Sequence, residues 1–223
     1  MNRLILYKNS IFIILLLFLF SCTPDEMIVN VYTSDLDAAK NGEIVQIPVK
    51  ITFSMPGKDK NNDLEKVKVI VQKYLEPKSK FTIVKGKYSN SVVVETTIDF
   101  GKPDVPKNSL LQLVYYSSPK DNPKGPPTVE LFKYDLLIKE LNSQLRGINF
   151  MLNLSLPSKN TKLRIISDSK IPYKIRGFST WVSKKPHLSY IATLNKREEI
   201  EMLFKGASSS IYSQLPIFFC QAG

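Results

Sequence analysis

The chain has 223 residues, with 31 Lys and Arg against 20 Asp and Glu, a formal net charge of +11, and 43% hydrophobic residues. That is enough chain for one large or two small domains with a proper core. The basic excess is scattered: the lysines between Lys58 and Lys87 fall among acids and apolar residues. No RNP-like, helix-turn-helix or zinc-finger spacing is present, so nucleic acid is a poor fit as a partner. A single histidine excludes a multi-histidine metal site.

In chain order, Met1 to Ser10 carries Arg3 and Lys8 without an acid, and Ile11 to Phe20 follows as ten uninterrupted Ile, Phe and Leu residues. This is the layout of a secretory leader over residues 1–21. As a helix the apolar run spans about 15 Å, half of a bilayer interior of about 30 Å, which favours a cleaved leader over a retained transmembrane helix. The junction Leu19-Phe20-Ser21-Cys22 resembles the lipobox of bacterial lipoproteins, with Phe20 standing where a smaller residue is commoner. The resemblance implies cleavage after Ser21 and diacylglycerol on the Cys22 thiol, with palmitate-type acyl chains as the membrane anchor. Two or three acyl chains on one residue anchor stably, each buried methylene adding about 0.8 kcal/mol. It also implies a place in the cell envelope. In a host with two membranes that place is the periplasmic or surface face of the outer membrane, because Thr23 rather than Asp follows the cysteine.

Residues 22–26 read as a polar tether. Met27 to Tyr32 reads as a strand and Thr33 to Gly42 as a turn or a single helical turn. Ile44 to Met55 alternates strictly, with Val45, Ile47, Val49, Ile51 and Phe53 on one side, so a half-buried strand is expected, with Pro48 marking an edge or bulge. Asn62 and Glu65 suggest a capped helix whose stripe is Leu64, Val67, Ile70, Val71 and Tyr74, ending at Pro77. A hairpin follows, Phe81–Val84 with Ser91–Phe100. This portion, 27–101, is a candidate first subdomain.

The proline-bearing stretch 102–107 is a candidate boundary, and 108–223 a β-rich second subdomain, although one continuous domain is equally compatible. Strands are expected at Leu110–Tyr116 and Val129–Tyr134, on either side of a long proline-rich loop. A helix is expected over Asp135–Arg146, ending at Gly147. Strands should follow at Ile148–Leu156, Leu163–Ser167, Tyr173–Val182, Leu188–Leu194 and Ile211–Phe219, with Glu198–Phe204 strand or helix. The fold class expected is α+β, mostly antiparallel sheet with about two amphipathic helices packed on it.

No Gly-x-Ser-x-Gly elbow, HExxH, Walker loop or dinucleotide glycine pattern occurs. His187 lies in a Lys-Lys-Pro-His-Leu segment that reads as an exposed turn. Asp35, Asp37, Glu95, Asp99 and Asp168 are available carboxylates, but nothing in the sequence favours a pair. Tyr115, Tyr116, Tyr134 and Trp181 suit either sugar stacking or the core. With Cys22 acylated, Cys220 is a buried thiol or an intermolecular disulfide partner. No catalytic, metal or cofactor site is therefore assigned. The expectation is a non-catalytic, membrane-anchored interaction module. Its partner would be an envelope protein, a wall polymer or anionic lipid; the scattered basic charge suits attraction to the last two or simply a soluble lysine-rich surface. A solute- or glycan-binding lipoprotein and a phage- or plasmid-type exclusion lipoprotein are the alternatives, and an envelope hydrolase is disfavoured.

Overall fold

The computed structural model describes residues 24–56, 62–85, 89–103, 110–118, 127–149, 152, 154, 160–204 and 216–221. In them the chain forms eleven strands, β1 (Pro24–Tyr32), β2 (Val45–Pro56), β3 (Lys80–Lys85), β4 (Ser89–Gly101), β5 (Leu111–Tyr116), β6 (Thr128–Lys133), β7 (Thr161–Ile166), β8 (Tyr173–Val182), β9 (Lys185–Leu194), β10 (Glu199–Phe204) and β11 (Pro216–Gln221). Three helices accompany them: α1 (Thr33–Asn41), α2 (Asp63–Gln72) and α3 (Asp135–Ile148). The expected α+β class with largely antiparallel pairing is present in coarse form, with one helix more than expected.

All eleven strands belong to one sheet, and its pairings close on themselves. From β10 the order runs β7, β1, β2, β4, β5, β6, β11, β8 and back to β10, with β3 and β9 attached outside the ring on β4 and β8. Closure removes most of the unpaired edges of an open sheet. Strands from the two sides of residues 102–107 form two contiguous arcs of the ring, β1-β2-β4 and β5-β6-β11-β8-β10-β7, joined where β1 pairs with β7 and β4 with β5. Two pairings are parallel, β1 with β7 and β4 with β5. In the second, Asp99–Gly101 pairs with Gln112–Val114.

The alternation in β2 is realised: Ile47, Val49 and Ile51 are buried, opposite Ile98, Thr96 and Val94 of β4. Pro48 lies within the ring, not on an outer edge. Registered pairing with β1 stops at Val49, so the missing N–H of Pro48 falls beyond the last pair on that side. The inward residues of the ring form a single cluster with Leu64, Val67 and Val71 of α2 and Ile138, Leu141 and Leu145 of α3. The two helices pack against each other, and α1 lies over β1, β2, β4 and β5. No helix among the described residues is long and apolar enough to cross a membrane.

Several local expectations are corrected. Residues 33–41 form a full helix, because Gly42 takes φ 92° and closes a Schellman motif: its N–H donates to the Ala39 carbonyl at 3.1 Å and that of Glu43 to Ala38 at 3.0 Å. Asn62 does not cap α2 with its side chain; its φ is 54°. Helix α3 runs through Gly147 to Ile148, so that glycine is inside the last turn rather than beyond it. The Ser183-to-His187 segment is not a long turn. Ser183 and Lys184 alone make it, at φ 49° and 66°, the left-handed pair of a tight hairpin, and β9 resumes at Lys185.

Candidate functional site

Two places on the ring gather polar chemistry. The first is a fastening where α1 leaves β1. The buried Thr33 hydroxyl donates to Asp168 Oδ1 at 2.8 Å and accepts the N–H groups of Asp168 and Ser169, both at 3.1 Å. Asp168 also accepts the Ser34 N–H at 2.9 Å and the Ser34 hydroxyl at 2.5 Å. A residue just after β7 thus supplies an anionic acceptor to the first turn of α1, beside the local bond in which Asp35 accepts the Tyr32 N–H at 2.8 Å. One turn on, the Tyr173 hydroxyl donates to Asp37.

The electrostatics follow the geometry. Burial acts to raise the Asp168 carboxyl, but the bonds from Ser34 and Thr33 outweigh it and hold the carboxyl below its ordinary value of 3.8. Asp35 goes the other way: burial raises it, the Tyr32 N–H lowers it, and the charge of Asp168 raises it further. Burial and the Asp37 carboxylate push the Tyr173 phenol far up, so it remains a donor throughout the working range. Of the carboxylates noted in the sequence, Asp35, Asp37 and Asp168 therefore come together, though as a structural clamp. Asp99 is elsewhere, accepting from Gln46 on the outer face.

The second place is a cleft of about 810 Å³ in the wall formed by β8, β9 and β10. Two other described clefts, beside the segment from Lys73 to Lys80, are smaller at about 390 and 270 Å³. The large one arises because β9 and β10 follow each other without pairing: β9 stays on β8, whereas β10 pairs with β7 and touches β8 only at Trp181 and Val182. A turn at Asn195–Glu198 holds them apart. The Glu198 carboxylate accepts the Asn195 N–H at 2.8 Å, which keeps that exposed carboxyl below its ordinary range. Arg197 sits at φ 70°. Its N–H donates to the Ser167 carbonyl at 2.7 Å, and the Ser167 N–H donates to Glu198 O at 2.8 Å, so the corner is pinned to the end of β7.

Trp181, the single tryptophan of the chain, and Tyr190 supply aromatic surface to this cleft. Its aliphatic lining includes Leu194 of β9 and Ile200 and Leu203 of β10. Lys162, Lys184, Glu199 and Glu201 supply charge. Lys162 bridges two acids, Glu26 and, at 3.6 Å, Glu201; the Glu26 bond is the main reason its ammonium is held above its ordinary value. Arg164 also reaches Glu201 at 3.6 Å. Beside the cleft, the His187 ring meets the Tyr190 ring edge-on with centroids 4.9 Å apart. His187 is thus a half-buried strand residue, not an exposed turn residue. Leu188, 87% exposed, and Ile191, 47% exposed, project from the same strand.

Of the tyrosines considered for sugar stacking, Tyr115 is buried in the core, Tyr116 packs against Phe132 at 6.2 Å, and Tyr134 donates to Gln112. None of these lines the large cleft; Trp181 does. Tyr190, Glu199 and Glu201 went unassigned in the sequence. Only the divergence of β9 from β10 brings them beside a cavity. Among the described residues no group of three His, Cys, Asp or Glu is placed to hold a metal ion. Ser21 and Cys22, the expected cleavage and lipidation sites, lie outside the described residues, as does most of the loop between β5 and β6. Cys220 is on β11 in register with Lys174 of β8. No protein-family model, curated protein or solved structure matches this chain.

Proposed function

We propose that the chain is a bacterial envelope lipoprotein, anchored through Cys22, that acts as a non-catalytic interaction module. Its contact face is the wall carrying β8, β9 and β10. The observation that carries this reading is the 810 Å³ cleft beside the outermost strand β9, a strand that also leaves Leu188 and Ile191 exposed. Pockets that hold organic ligands fall in the range of about 300–1,000 Å³ and combine apolar walls with a few placed polar groups. The non-catalytic part is supported by where the reactive groups go: His187 packs on Tyr190, and Asp37 and Asp168 are engaged in bonds that fasten α1. The anchor is supported by the apolar run and Ser21-Cys22 alone.

Radiolabelled palmitate tests the anchor: label on the wild type and none on Cys22→Ser is expected, and an unlabelled wild type sinks it. The contact face is tested in cells with a photo-crosslinking residue at position 188 or, as a control on another surface, at the exposed Leu136 of α3. A discrete adduct from position 188 alone is expected. Equal yields from both positions would remove the assignment of that face.

A further inference from the structure

The cleft between β9 and β10 has a composition that narrows its occupant, and we infer that it is a saccharide-binding site, taking one or two sugar rings of no net charge. The inference rests on the interaction-module reading only in supposing that the wall holds something; it does not depend on the lipid anchor. Three features of the lining point the same way.

The first is the pairing of aromatic and charged surface in one cavity. A pyranose presents a face of C–H bonds and an equator of hydroxyls, so it calls for an aromatic plane beside groups that accept and donate hydrogen bonds. Trp181 and Tyr190 bring the aromatic surface, and Glu199, Glu201, Lys162 and Lys184 bring the polar groups. The second is charge balance. Two ammonium groups stand against two carboxylates, and Lys162 is already bridged by Glu26 and Glu201. A phosphate or other anion would meet two carboxylates in such a site, and a cation two ammonium groups, whereas a neutral polyol meets only donors and acceptors. An acyl chain would fit the aliphatic side alone and would take water from Glu199, Lys184 and the Lys162–Glu201 ion pair without giving them a hydrogen bond in return.

The third is spacing. Glu199 and Glu201 are alternate residues of one strand and so share a face, about 7 Å apart along it, wide enough to bracket one ring. The corner at Asn195–Glu198, tied to Ser167 through both Arg197 and Glu198, holds that strand in place before any ligand arrives. A site fixed in advance loses less to ordering on binding.

Trp181, as the single tryptophan, makes the test direct. The full chain in lipid nanodiscs would be titrated with N-acetylglucosamine and glucose oligomers, with octanoate and inorganic phosphate as comparators, following Trp181 emission. A saturable shift with an oligosaccharide and none with octanoate or phosphate is expected. Tyr190→Ala and the exposed Glu199→Gln should each weaken it by about tenfold. Glu199→Gln is isosteric at the surface, so its loss of binding would not reflect unfolding. Cys22→Ser should bind as the wild type does, which separates failure of this inference from failure of the anchor. Silence toward every sugar up to about 10 mM, past the range of weak ligands, would overturn the proposal. So would saturation by octanoate or phosphate instead, or a sugar response unchanged in both cleft variants.

Discussion

Strand β8 contributes to both polar regions of the molecule, and the two ends of that strand are used in opposite ways. At its start, Tyr173 belongs to the clamp, where Thr33, Ser34, Asp37 and Asp168 are joined by bonds between residues about 135 positions apart in sequence. At its end, Trp181 belongs to the cleft, whose two walls are strands joined by a four-residue turn that decline to pair. The clamp spends its polar groups on one another and ties α1 to the segment between β7 and β8. In the cleft, backbone pairing is withheld where it would be easiest, and aromatic and charged side chains are left facing a void. Polar groups that satisfy each other stabilise a fold, whereas polar groups arranged around a space are available to a ligand.

That contrast predicts that clamp substitutions move stability and leave ligand titrations alone, and that cleft substitutions do the reverse. The largest effect is expected for Thr33→Val, which keeps the shape but strips a fully buried hydroxyl serving three bonds; a loss of about 2–3 kcal/mol should appear as a lower Tm. Next is Gly177→Ala on β8, between the two regions. An added Cβ would lie 2.7 Å from the Met202 sulfur and 2.9 Å from Thr180 Cγ2, so a cost of about 1–3 kcal/mol is expected. The double variant with Met202→Ala should cost less than the two single losses together, which a denaturation cycle would measure. Additive losses would show that Met202 yields freely.

A smaller effect concerns acid. The carboxyl of Asp168 is held below its ordinary 3.8, so its contribution is present in full above that value and is lost as pH falls through the depressed one. Asp35, raised by burial, opposes it, since its protonation on acidification favours the folded state. Asp168→Asn should therefore flatten the acid limb of the unfolding curve; an unchanged limb would place the acid response elsewhere. Smallest is Leu188→Glu, which at 87% exposure should leave stability within about 0.5 kcal/mol while abolishing the adduct from a photo-crosslinking residue placed instead at the exposed position 191 of the same strand.

Much of the secondary structure was legible in the residues because burial acts locally on pattern. The two-residue period of β2 and the stripe of α2 each record which side meets the core, and Tyr173–Val182 matches β8 at both ends. Helix α1 reads in the sequence as no more than a turn or a single helical turn because its nine residues are rich in Ser, Asp and Asn, which favour turns when alone. Its two ends are fastened by groups that the pattern does not show: the Gly42 turn at the C-terminus, and Asp168, brought to its first turn from the far half of the chain. His187 was misplaced for a related reason: two lysines and a proline suggest a loop, but Ser183 and Lys184 alone absorb the left-handed turn and leave Lys185 and Pro186 free to enter β9.

The sequence by itself determined the leader-like apolar run with Ser21-Cys22, the periods of the main strands and helices, and the poverty of histidine. Each is a property of neighbouring residues, readable because backbone geometry repeats every two or 3.6 positions. The tertiary structure alone decided that the strands close into a ring, that Asp168 finishes α1, and that Trp181, Tyr190, Glu199 and Glu201 share a cavity. Those outcomes depend on which strand pairs with which. Pairing is set by the summed packing of the whole sheet, and no local pattern encodes it.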